Sequence, residues 1–205
     1  LDSGHYAAQV MSEYASTIRF SATVSPLAVY QRLHGQVTKE ADFSERAKTP
    51  FSAAQTHVMI IKDIPTYLQQ RTQSLPKIGE LLDILTASKP GRYLLAMPSY
   101  AYLEQFRNEH IARSSKAEQA IKFLYQERGQ DTDAQQALMA SFCMHENVVM
   151  GVVLGGGLSE SVDFGEAKLN GVVIVGLGLP PPSLERNLMA EFFAGSENGE
   201  LGQTM

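Results

Sequence analysis

Gly155-Gly156-Gly157-Leu158-Ser159-Glu160 follows directly on the apolar run Val148 to Leu154, at a point where a strand should end. Glycines let a backbone approach a phosphate closely, and bared amides beside a hydroxyl can cradle an anion. A plain tight turn accounts for the same residues. The stretch is not a dinucleotide fingerprint, because Glu160 replaces the third glycine of G-x-G-x-x-G, and no Gly-Lys-Ser/Thr of a Walker A loop occurs anywhere. Asp163, four residues beyond Ser159, has the chemistry to accept bonds from a ribose or to orient a water, and equally that of a helix N-cap. No Ser/His/Asp arrangement or carboxylate pair is readable, which speaks against a self-contained hydrolase site.

The whole-chain numbers bound what such a site could belong to. A chain of 205 residues, 44% of them hydrophobic, holds one domain with a full core more readily than two small ones. No apolar run approaches the roughly 18 residues that a membrane span needs. Cys143 is the only cysteine, so there is no disulfide framework, and a cluster ligated by about four thiolates of this chain is excluded. The five histidines show no metal-ligand spacing; His145 reads as a surface or half-buried residue, and no metal site is expected. The formal charge of −5 counts against a free-standing, non-specific nucleic-acid binder, whose affinity comes from basic residues on phosphates. It leaves room for a nucleic acid held by amides, hydroxyls and a few arginines within a larger machine. The start, Leu-Asp-Ser-Gly-His-Tyr, has neither a basic region nor a signal-type apolar core and reads like the inside of a longer protein, and the lack of a disulfide framework suits a cytoplasmic one.

The elements that must position these residues alternate along the chain. Tyr6 to Ala15 has weak helical spacing, Thr17 to Phe20 is a short strand candidate, and Leu27 to Leu33 should form a helix that Gly35 ends. Gln36 to Thr56 is a polar loop without a period. His57 to Ile61 reads as a buried strand; Ile78, Leu81, Leu82 and Leu85 fall on one helical face closed by Pro90-Gly91; Tyr93 to Met97 is a strand and Ser99 to Asn108 a helix. Ile121 to Tyr125 is a strand, Thr132-Asp133-Ala134-Gln135 has the form of a capping box, and Val148 to Leu154 and Val172 to Val175 are further strands. Leu184 to Phe193 is a last amphipathic helix, and residues 195–205 lack a core-forming pattern, as a disordered or linker tail would. Strands apolar on both sides and separated by helices predict an α/β domain over residues 57–194, a mostly parallel sheet with helices on both faces. Such sheets place ligands at the carboxyl ends of their strands. The Ser-, Thr- and Gly-rich segments Ser21 to Ser25, Pro98-Ser99 and Gly155 to Ser161 all follow strand candidates.

Several segments together resemble the XPD/DinG-like DNA helicases. Phe20-Ser21-Ala22-Thr23-Val24-Ser25-Pro26-Leu27 is similar to that family's Ser-Ala-Thr-Leu-Ser-Pro junction between its two motor domains, here within residues 1–35. Asp63-Ile64-Pro65-Thr66-Tyr67 with Arg71 resembles the region before motif IV, Gly91 to Tyr100 resembles motif IV, and Leu154 to Phe164 resembles motif V. Gly176-Leu177-Gly178-Leu179-Pro180, with Ser183 and Glu185-Arg186, is similar to the stretch after it. The resemblance implies a RecA-like second motor domain that works with the first RecA-like domain of the same polypeptide, with ATP and Mg²⁺ between the two and single-stranded DNA across both. It implies DNA contacts for Ser99, Tyr100 and Ser159, a coupling role for Thr23 and Ser25, and a nucleotide-side position for Glu160 and Asp163. For Arg71 it leaves DNA contact and bracing of the domain open; for Tyr100, core packing and stacking on a base.

The departures matter as much. Ser161 stands where the family has the glycine of Ser-Glu-Gly-Ile-Asp, a substitution that costs on the order of 1 kcal/mol if the position needs a positive φ. The Walker motifs and any iron–sulfur cluster belong upstream in this family, and motif VI with its arginine finger is expected soon after Met205. Two other readings remain: a degenerate motor fold that serves as an interaction module, and a stand-alone doubly wound enzyme. The second lacks the acidic residue that should follow Val175 to hold a ribose.

Overall fold

In the computed structural model, which describes residues 3–21, 26–35, 43–114, 121–159, 162–179 and 183–194, the alternation of the sequence becomes one parallel sheet. The chain divides into two compact units, Val58–Pro180, and Leu1–His57 together with Pro181–Met205. In the second of these, α1 (Gly4–Met11) and α2 (Leu27–Leu33) are tied by a hydrogen bond that the Ser3 hydroxyl donates to the carbonyl of Leu33, and Gly35, at φ 64°, ends α2 as expected. The expected strand at Thr17 to Phe20 is absent, and Ile18 and Phe20 are exposed.

The Val58–Pro180 unit contains α3 (Arg71–Ser88), β1 (Arg92–Met97), α4 (Tyr100–Ser114), β2 (Lys122–Tyr125), α5 (Thr132–Met144), β3 (Val148–Val153) and β4 (Leu169–Ile174). The four strands are all parallel, in the order β2-β3-β1-β4. The two central strands are apolar on both sides, as a sheet covered on both faces requires. Tyr93, Leu95 and Met97 of β1 join Val149 and Val153 of β3 in one core with Leu75, Ile78 and Leu82 of α3 and Tyr102, Leu103 and Phe106 of α4. Leu94 and Ala96 join Val148, Met150 and Val152 in a second core against Phe142 of α5.

The opposite placement of α4 and α5 follows from handedness. From β1 to β2 the chain crosses the sheet in one direction, and from β2 to β3 it returns, so two right-handed crossovers put their helices on opposite faces. Close packing of α4 depends on Gly151 in β3, where a Cβ would stand 2.6 Å from a methyl of Leu103. This is the α/β, RecA-like architecture expected. The helix that starts at α5 differs in detail: Asp131, not Thr132, is its N-cap, with a carboxylate oxygen accepting from the amide of Ala134 at 2.8 Å.

The strand expected at His57 to Ile61 does not form. Val58 and Ile60 are 79% and 80% exposed and pair with nothing among the described residues. β-Branched composition expresses fitness for a half-buried pleated surface, and without a neighbouring edge it makes no strand.

Among the described residues His110 is the buried histidine. His110 of α4 is 4% exposed, lies between the rings of Phe106 and Phe123, and is hydrogen-bonded through Nδ1 to the Tyr125 hydroxyl at 3.0 Å. Burial, reinforced by Arg113 and opposed by Asp83, lowers its pKa below the usual histidine value. A histidine depressed in the folded state leaves the unfolded chain holding more protons, so its stabilising contribution is complete above about pH 6.5 and is lost as the pH falls through the folded pKa. Urea denaturation should therefore show a midpoint that declines from about pH 7 to about pH 5. His110→Gln, which retains a polar partner for Tyr125, should flatten that decline.

Candidate functional site

The pairing of Met97 with Val153 brings two chemically interesting loops out of the sheet side by side. Leu154 donates its amide to the carbonyl of Met97 at 2.9 Å, so the paired backbone continues one residue past β3 before the loops part. Pro98-Ser99 leads into α4 on one face, while Leu158 and Phe164 of the other loop pack into the core on the α5 face. Adjacent strands whose exits turn to opposite faces leave a crevice between them, the usual ligand position in an open α/β sheet.

Ser99 is fixed by its place at the start of α4. Its hydroxyl oxygen accepts from the amide of Tyr102 at 3.3 Å, and its carbonyl accepts from the amide of Leu103 at 3.0 Å. The hydroxyl proton is left to donate, which suits a phosphate oxygen. Ser159 is set the other way: its hydroxyl donates to the carbonyl of Gly156 at 2.9 Å and would have to turn to donate elsewhere. Tyr100 is half-buried and packs against the α3–α4 core.

The glycine run is a turn that uses part of its own amide supply. Gly156 donates to Val153 at 3.0 Å and Ser159 to Gly156 at 2.9 Å, whereas the amides of Gly155 and Gly157 have no acceptor among the described residues. Only Gly155, at φ 74°, needs glycine for its backbone conformation. The run closes as a turn and leaves two amides unspent among the described residues.

Asp163 is exposed and accepts the amide of Gly165 at 2.8 Å, a local turn that fixes one carboxylate oxygen. It borders a cleft of about 280 Å³ on the α5 side, with Thr132, Gln135 and Leu158 on the walls. Arg71 opens α3 with its guanidinium 5.2 Å from the centre of the Tyr102 ring, and its carbonyl accepts from the Tyr102 hydroxyl. These two contacts join the start of α3 to α4. Thr23, Ser25, Glu160 and Ser161 lie outside the described residues.

One contributor carried no motif. Gln126, 4% exposed at the exit of β2, accepts the amide of Val153 through Oε1 at 3.0 Å and donates its own amide to Gly151 at 2.9 Å. It ties the exit of β2 to the last residue of β3. Its signal in the sequence was position alone, the first polar residue after a strand.

Residues 81–204, more than half of the chain, match the model of the helicase C-terminal domain family. The chain belongs to that family. No curated protein matches it significantly. A helicase C-terminal domain is a motor domain of an enzyme class that hydrolyses nucleoside triphosphates and acts on nucleic acid, and it works against an N-terminal partner domain. The match spans both loops of the crevice as well as β1 to β4. Among the described residues, no helix is long and apolar enough to cross a membrane, and no three His, Cys, Asp or Glu side chains are grouped to hold a metal.

The cap at Ser99 yields a stability prediction. Ser99→Ala should cost about 1 kcal/mol in urea denaturation, while Ser99→Asp, a good N-cap, should fall within a few tenths of the parent. An equal loss in both variants would show that the cap contributes nothing.

Proposed function

We propose that this helicase C-terminal domain is the second motor domain of an XPD/DinG-like, ATP-dependent DNA helicase, contributing half of the ATP cleft and part of the single-stranded DNA path. The observation that carries the reading is the register Met97↔Val153, which delivers Ser99-Tyr100 and Gly155–Ser159 from neighbouring strand ends. The donors collected there suit a phosphodiester backbone: a capped serine with a free proton, a second hydroxyl, and two unspent glycine amides. Grip by hydroxyls and amides also fits a chain whose net charge is −5.

The cleft beside Asp163 fits one side of a nucleotide and not the whole of it. At about 280 Å³ it is smaller than the usual range for a complete small-molecule site, and its polar lining is Thr132, Gln135, Gln136 and Asp163. Asp163 and Glu160 would face the nucleotide, with Asp163 holding a ribose hydroxyl or a water. ATP with Mg²⁺ supplies the free energy of phosphoryl transfer. That step needs a phosphate-cradling lysine, metal ligands and a charge-stabilising arginine, which the first motor domain and a motif VI would contribute. Thr23 and Ser25 would couple the DNA path to the cleft, and closing and opening against the first domain would ratchet the strand along.

A second reading, a motor fold retained as an interaction module, is favoured by one observation: Val58 to Ile61 and the β4 residues Val172 and Ile174 present apolar side chains to solvent. A stand-alone doubly wound enzyme is disfavoured, because β4 exits into Val175-Gly176-Leu177-Gly178-Leu179 without a carboxylate for a ribose.

Two outcomes test the helicase reading. The pure 205-residue chain should hydrolyse no ATP with or without single-stranded DNA, since it has no Gly-Lys-Ser/Thr loop; a DNA-stimulated signal would overturn the assignment of the chemistry to its partner. In the full-length enzyme, Ser159→Ala should weaken single-strand binding and slow unwinding. Unchanged affinity and rate would remove Ser159 from the DNA path.

A further inference from the structure

Arg128 stands three residues past the end of β2, and Tyr100 three residues past the end of β1. Those strands flank β3 on its two sides in the order β2-β3-β1-β4. The Arg128 guanidinium carbon nevertheless lies 5.8 Å from the centre of the Tyr100 ring. The pair therefore spans the exit of β3, where the glycine loop begins, and Ser99 sits next to it in the chain.

Arg107 pairs with Glu127 at 2.7 Å and Arg113 with Asp83 at 2.8 Å, so the acid adjacent to Arg128 is already engaged. Among the described residues Arg128 forms no ion pair, and it is exposed. A guanidinium laid on an aromatic ring keeps its in-plane N–H groups free, and their fork matches two oxygens of a phosphate. The ring restricts a long side chain beforehand and so lowers the entropy lost on contact.

We propose that Arg128 contacts a phosphate of the single strand beside Ser99, and that Tyr100 acts as a positioning residue by supporting that guanidinium, not by stacking on a base. This rests on the reading of the exit crevice as part of a single-strand path. It places a contact on the β2–α5 loop, which none of the motif resemblances covers.

The test is binding of labelled oligo(dT) to the full-length polypeptide, followed by fluorescence anisotropy across a salt series. Arg128→Ala should weaken binding about fivefold and reduce the slope of log affinity against log salt by about 0.7, the share of one phosphate contact on a single strand. Arg128→Lys should keep the slope and lose part of the affinity. Tyr100→Phe should match the parent, and Tyr100→Leu should approach Arg128→Ala in affinity. If the parent binds and Arg128→Ala leaves affinity and slope unchanged, the inference fails and the helicase reading stands. If Tyr100→Leu weakens binding while Arg128→Ala does not, the ring acts on a base and the positioning role is overturned. A parent that binds no oligo(dT) at low salt would remove both.

Discussion

Parallel pairing of β1 with β3, in register from Arg92↔Val148 to Met97↔Val153, is the constraint that the rest of the Val58–Pro180 unit serves. Side chains alternate across a strand, so two central strands that are apolar on both sides must be covered twice. The cover comes from α3 and α4 on one face and α5 on the other. The register also fixes where the two chains leave the sheet. A slip of one residue would move every side chain to the opposite face and exchange the two cores.

Chemistry at the exits follows from that backbone geometry. Capping of α4 turns the Ser99 hydroxyl into an acceptor for the chain and leaves a donor for a ligand. Closure of the glycine turn consumes the amides of Gly156 and Ser159 and spares those of Gly155 and Gly157. Gln126 holds the end of β3 from the neighbouring strand, so the loop starts from a fixed point. The donors are therefore set by turns and caps that folding requires in any case, and their cost is shared with the fold. This differs from a site built from charged side chains, which would need separate support for each group.

The sequence revealed what depends on local pattern. Central strands, the α4 and α5 helices and the crevice loops were legible because apolar periods and glycine punctuation are local signals. Arg92–Met97 and Val148–Val153 agree with the expected runs to within one residue. His57 to Ile61 misled because its composition is that of a strand, and whether a sheet edge is available to it is not a property of those five residues. Asp131 was overlooked as a cap because Thr132 and Gln135 fit the capping pattern one position later. Gln126 and Arg128 were illegible for a deeper reason. Their partners, Val153 and Tyr100, are 27 and 28 residues away, and only the strand order brings them together.

The same order would reconcile an acidic chain with the proposed polyanionic ligand. Two guanidinium groups of the α3–α4–β2 region are engaged with carboxylates, Arg107 with Glu127 and Arg113 with Asp83. A motor that steps along a strand has to release each phosphate as readily as it takes hold, and many unpaired cations would make binding tight and steeply salt-dependent. On the proposed reading, hydroxyl and amide donors that are exchanged for water at little net cost, with the Arg128 guanidinium among them, would give an orientation without a trap. On that view the net charge of −5 is compatible with the role, because the grip depends on where a few donors point and not on how many positive charges the surface carries.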